Sequence, residues 1–155
     1  MKQLLNDILN DIRVELSDEF DRNFQRKAFF DRPWKPRSFP NSKGSLLMVT
    51  GKLRRSIRSS VSSDSVVWET SEAYAAIHNY GGTVTVTDKM KRFFWYKYRA
   101  TKDDHWKWMA LMKTGAKIKM PQRQFLGDHP VVRKRAEDIV RRKLGNAAQQ
   151  LIRTL

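Results

Sequence analysis

Three histidines, His78, His105 and His129, are the side chains of this sequence best suited to metal binding or proton transfer. No two stand three or four residues apart, the spacing that turns two imidazoles toward one ion from a helix face. The sequence has no cysteine, which excludes thiolate nucleophiles, disulfides and sulfur-ligated zinc. Val49-Thr50-Gly51-Lys52 ends like a phosphate loop, but that loop needs G-x-x-x-x-G-K followed by Ser or Thr to shape its cradle of N–H groups. Here Gly44 stands seven residues before Gly51, and Leu53 follows the lysine. No serine sits in a G-x-S-x-G elbow. The carboxylates Asp7, Asp11, Glu15, Asp18, Glu19 and Asp21 lie beside or opposite an apolar stripe, as on a solvated helix face. No catalytic residue, metal site or cofactor is therefore assigned. The chain reads as a binding and assembly protein, not an enzyme.

The 155 residues suit one domain, 1–155, with a formal net charge of +15. That charge is segregated. Residues 1–31 sum to −2, 32–60 to +8, 61–88 to −4, 89–123 to +9 and 124–155 to +4. Such blocks favour an electrostatic partner: nucleic acid, an acidic protein face, or the acidic part of another copy. No apolar run has the length of a signal-peptide core or a membrane span, so no membrane partner is expected.

Elements that could position an interface follow from periodicity. Leu4, Ile8, Ile12, Leu16, Phe20, Phe24 and Ala28 repeat at i, i+4, predicting a helix over 2–30. Each step of four overshoots a turn by about 40°, so the stripe winds and needs two partners. Arg32-Pro33-Trp34-Lys35-Pro36-Arg37-Ser38-Phe39-Pro40 starts a basic loop, with Trp34 expected outside the core. Thr50 is expected to cap a short helix. A hairpin over 60–70, a short helix over 72–79 closed by Gly81-Gly82, and strands at 83–87 and 117–120 follow. Two short helices are expected between Lys89 and Thr114, broken near 101–104. Asp128 is expected to cap a last helix with Pro130 in its first turn. The fold class is α+β: long terminal helices packed with one small antiparallel sheet and short interleaved helices. His78 is expected to bond a loop backbone, and His129 to start the last helix.

Phe93, Phe94 and Trp95 in succession cannot all point inward on one helix, so some face a neighbour. Aromatics among lysines and arginines can stack bases and neutralise phosphates, or snorkel their charges from a protein contact. The contact reading is preferred. A nucleic-acid surface over Lys89–Arg123 is the alternative.

Thr50-Gly51-Lys52-Leu53-Arg54-Arg55-Ser56-Ile57, Tyr74-Ala75-Ala76-Ile77-His78-Asn79-Tyr80-Gly81-Gly82 and Met120-Pro121-Gln122-Arg123-Gln124-Phe125-Leu126-Gly127, in this order, resemble the phage virion morphogenesis, or tail completion, family. The resemblance covers nearly the whole chain and matches least firmly over 90–114. It implies a structural role at the head–tail junction or tail terminus, as a ring, in the virion after assembly in the host bacterial cytoplasm. Implied partners are other copies of the chain and head–tail connector or tail proteins, with non-specific DNA contact as a secondary one. Gly51, Leu53, Tyr74, Ile77, His78, Gly81, Gly82, Pro121, Arg123, Phe125, Leu126 and Gly127 are expected to build the fold. Trp34, Arg54, Arg55, Phe93, Phe94 and Trp95 are the expected assembly surface. Reversing Arg54 and Arg55 to Glu should leave the fold intact, and the acidic outer face of the first helix should meet a neighbour's basic face.

Overall fold

The winding stripe of the first helix, α1 (Lys2–Arg26), does meet two sets of neighbours. Phe24 joins Trp34, Leu53, Ala75 and Phe125 in one buried cluster. Leu16 and Phe20 join Phe29 in a second, with Trp68 and Val132 packed on it. The computed structural model describes residues 2–38 and 44–154; the expected loop residues Phe39 and Pro40 lie outside them.

After α1 come a two-residue ribbon, β1 (Ala28–Phe29) with β2 (Arg32–Pro33), and a short helix, α2 (Lys52–Ser56). A hairpin, β3 (Arg58–Val61) and β4 (Val66–Glu69), leads to α3 (Ala75–Tyr80) and β5 (Gly82–Thr85). Then α4 (Asp88–Thr101) and α5 (Asp104–Leu111) precede β6 (Lys117–Met120) and the last helix, α6 (Pro130–Thr154). This is the expected α+β class with long terminal helices.

The single sheet is corrected. Among the described residues the strands form three separate antiparallel pairs, β1–β2, β3–β4 and β5–β6. Arg58 pairs with Glu69 and Val61 with Val66, while Gly82 pairs with Met120 and Thr85 with Lys117. Alternation reports that a strand has two faces but does not name its partner. β3 and β4 instead lie on α1, where Trp68 Nε1 donates to Ser17 Oγ at 2.9 Å.

The first helix stops at Arg26 rather than 30. Lys27 and Phe30 both adopt left-handed backbone, with φ 55°. A non-glycine pays for that only when its surroundings hold it there. Asn23 Oδ1 accepts from Phe30 N at 3.1 Å, Trp34 N donates to Lys27 O at 2.8 Å, and Ala28 and Phe29 are both buried. Three start and stop residues also differ from expectation. Gly51 (φ 67°) precedes α2, while Thr50 Oγ1 accepts from Lys52 N at 3.3 Å. Thr87 lies beyond β5 and caps α4 by accepting from Met90 N at 3.2 Å. His129, not Asp128, caps α6: its Nδ1 accepts from Val131 N at 3.2 Å, while Asp128 pairs with Arg133.

The terminal helices run antiparallel, joined by Arg135–Glu19 at 2.9 Å, Arg142–Glu15 at 2.6 Å and Lys143–Asp11 at 2.9 Å. Asp21 grips Arg54 through both carboxylate oxygens. The acidic face of α1 is thus largely engaged within the chain, which corrects its expected role toward a neighbour. Glu19 is the most enclosed of these acids. Burial works to raise its pKa, but a hydrogen bond from Arg26 and the charges of Arg135, Arg26 and Arg22 outweigh it. The carboxyl is left below its ordinary 4.5.

Glu19 therefore contributes stability in full above its unfolded value and loses it as pH falls through its lower folded value. Glu19→Gln should cost about 1–2 kcal/mol at neutral pH, toward the low end because its arginine partners keep access to water. Denaturant midpoints measured from pH 7 to pH 3 should show a shallower acid limb in the variant. An acid limb equal in both proteins contradicts the assignment.

Candidate assembly interface

The segment between β6 and α6 forms no helix or strand, yet it is where the body closes. Asn79, near the end of α3, reaches it with its whole amide. Asn79 Oδ1 accepts from Phe125 N at 2.9 Å and Leu126 N at 3.0 Å, and Nδ2 donates to Leu126 O at 3.1 Å. From α1, the fully enclosed Asn23 donates to Phe125 O at 3.4 Å. Trp34 Nε1 donates to Gln124 O at 2.6 Å. Arg123 donates back to the carbonyls of Lys35 at 2.8 Å and Pro36 at 3.1 Å, and its own N–H reaches His78 O at 2.7 Å. Buried irregular backbone must find such partners. We refer to 122–126 as the strap.

The motif residues sort around the strap. Phe125, Leu53 and Arg123 are buried, and Ile77 and Leu126 half-buried. Gly81 (φ 73°) runs beside the strap, where a Cβ would stand 3.0 Å from Gln122 N. Gly82, Pro121 and Gly127 flank it, and Gly51 sits at the entry to α2. Tyr74 is exposed, edge-on to His78 at 6.0 Å. His78 acts through its carbonyl; its ring Nδ1 has no hydrogen-bond partner among the described residues, correcting the expected loop bond. Burial first, then the charge of Arg123, lowers the His78 pKa. Burial, then the charge of Arg37, lowers that of Arg123. Asn23 and Asn79 were missed by sequence reasoning; an Asn just before Gly81-Gly82 was the available signal.

Several expected surface residues are relocated. Trp34 is a core residue, 6% exposed, edge-on to Phe24 at 5.6 Å. Prolines deny it a strand, but the strap supplies its indole with an acceptor. Arg54 is taken up by Asp21, so its reversal would set two acids against each other and strain the fold. Arg55 stays exposed, donating to Thr50 O at 2.9 Å. Phe94 is buried, stacked on Trp106 at 6.0 Å. Trp95 is half-buried beside Tyr98, and Phe93 is exposed.

What remains outward is an arm. The helices α4 and α5 pack on each other and on no other element to a comparable extent. The pair is rooted through Val86, whose N–H donates to Ala116 O and whose carbonyl accepts from Gly115 N, both at 2.8 Å. Phe93, Tyr96, Trp108 and Leu111 are 47%, 65%, 66% and 55% exposed on it. Its cations carry no ion pair among the described residues, whereas the acids Asp88 and Asp103 serve as hydrogen-bond acceptors for Thr114 and His105. On the body, β4, α3 and the start of α6 enclose a cleft of about 680 Å³. Phe20, Trp68, Leu126 and Val132 give it an apolar floor. Glu69, Glu72 and Asp128 line it too, and no Lys or Arg does. Among the described residues no group of three or more acidic or His side chains is placed to hold a metal ion. No described helix is long and apolar enough to cross a membrane.

A model of the phage virion morphogenesis family matches residues 2–145. No curated protein and no solved structure matches the chain.

Because Trp34 and Asn79 are both buried and bond the strap's backbone, they should be expensive to lose. Trp34→Ala should destabilise the chain by about 3–5 kcal/mol. Asn79→Ala should cost roughly 1–3 kcal/mol for each N–H it orphans at Phe125 and Leu126. Urea unfolding measures both; a midpoint for Trp34→Ala equal to that of the parent chain contradicts its place in the core.

Proposed function

Because the chain belongs to the phage virion morphogenesis family, we propose that it completes the virion at the head–tail junction or the tail terminus by forming a ring. The family gives the plain part of this reading, a structural and assembly role in the phage virion. The ring and the junction go further. The observation that supports them is the arm: a pair of helices that packs chiefly on itself and presents exposed aromatic and cationic side chains. Such a surface asks for a protein partner, and a heterologous contact between identical subunits closes into a ring when its rotation permits. The partners are other copies and the connector or tail proteins of the same virion, and assembly takes place in the host bacterial cytoplasm. A nucleic-acid role has its own support in the arm's mix of aromatics and cations, since phosphates and bases suit such a surface.

Salt separates the readings. Native mass and sedimentation across protein concentration should give one closed oligomer of fixed subunit number. Rising ionic strength should slow its formation, because the Debye length falls from about 10 Å at 0.1 M to about 3 Å at 1 M. Tight DNA retention that falls steeply with salt, from a chain that stays monomeric throughout, contradicts the ring and favours the nucleic-acid reading.

A further inference from the structure

The geometry points to a head-to-tail contact in which the α4–α5 arm of one copy seats in the Phe20–Trp68–Val132 cleft of the next. This rests on the assembly reading above and names the two surfaces that carry it.

The two surfaces complement each other in charge and in polarity. The arm residues 88–114 carry eight Lys and Arg against three Asp. None of those cations has a carboxylate partner among the described residues; Lys97 and Lys107 lie instead over the rings of Phe93 at 5.6 Å and Tyr98 at 5.9 Å. Arg92, Trp95, Tyr96 and Arg99 form one face of α4, the i, i+3, i+4, i+7 pattern by which a helix enters a groove. The cleft offers the reverse. Its floor is apolar, and of its carboxylates Glu69 has no ion pair among the described residues, while Glu72 pairs with Lys52 at 3.2 Å and Asp128 with Arg133 through both oxygens. On the body, Glu19, Glu15 and Asp21 are matched internally by ion pairs. Leu111, about half exposed, gains nothing from a polyanion but is desolvated in an apolar cleft. That favours a protein receptor over nucleic acid.

A head-to-tail contact has two halves on different copies, so each can be disabled alone. Tyr96→Ser with Trp108→Ser removes the two most exposed aromatics of the arm. Glu69→Arg with Ala76→Arg fills the cleft rim with like charge at two exposed positions. All four sites are exposed, and each variant should keep the melting temperature of the parent chain. By native mass spectrometry of the full chain, each variant alone should self-associate at least about thirtyfold more weakly, the loss of a hot spot. Mixed in equal amounts, the two should form 1:1 dimers and nothing larger, because only one competent arm–cleft pair remains. A parent oligomer that either variant still forms at parental strength overturns this contact and leaves the ring reading standing. A parent chain that stays monomeric at every concentration overturns the ring reading and this contact together. Unchanged oligomers with lost DNA retention in the arm variant assign the arm to nucleic acid instead.

Discussion

The amide of Asn79 is the constraint on which the rest of the structure depends. It holds both backbone N–H groups of Phe125 and Leu126 and the carbonyl of Leu126, three polar groups of irregular backbone that need partners. That places Phe125 against Phe24 at 5.3 Å and gives Trp34 a carbonyl for its indole. Both buried clusters touch Leu126, so the strap joins them. It also fixes where α6 begins. His129 Nδ1 caps that helix, and its Nε2–H donates to Asp31 Oδ1 at 2.8 Å, a bond that, more than any other influence, holds the Asp31 carboxyl below its ordinary range. The helix then returns along α1 through its arginine ladder.

A body closed in this way leaves a clear remainder. Along the seam between α1 and α6, Glu19, Glu15 and Asp11 are matched within the chain, while the cations of the arm have no carboxylate partner among the described residues. Leu16, Phe20 and Phe24 of α1 are covered, while the arm keeps Tyr96 and Trp108 in solvent. The net charge of +15 is therefore not a uniform coat for solubility. It is segregated along the chain, and the arm's share of it, eight Lys and Arg against three Asp over 88–114, meets no carboxylate partner among the described residues.

Periodicity read well where an element's partner did not matter. The i, i+4 stripe of α1, the break in the basic-aromatic segment, and Lys117–Met120 as a strand all depend on local pattern. The α+β class followed from the order of elements. Pairing was legible only locally: the expected hairpin is present as β3 and β4, while nothing in the alternation of 83–87 and 117–120 says that they form a ribbon of their own. Trp34 misled because prolines describe the backbone and say nothing of where an indole goes. Arg54 misled because its partner, Asp21, lies 33 residues away. Of the expected surface, Phe93 and Arg55 are exposed and Phe94 is not, since the stacking of Phe94 on Trp106 is set by how α4 folds onto α5. The cleft was invisible in sequence, being assembled from four separate elements.

The central claim is that the strap locks a cooperative body from which the arm stands apart. Native-state hydrogen exchange on the free chain tests it most directly. Amides of Phe125 and Leu126 should exchange only with global unfolding, and those of α4 and α5 through local opening at lower free energy. Arm and strap exchanging together, at one free energy, contradicts the account.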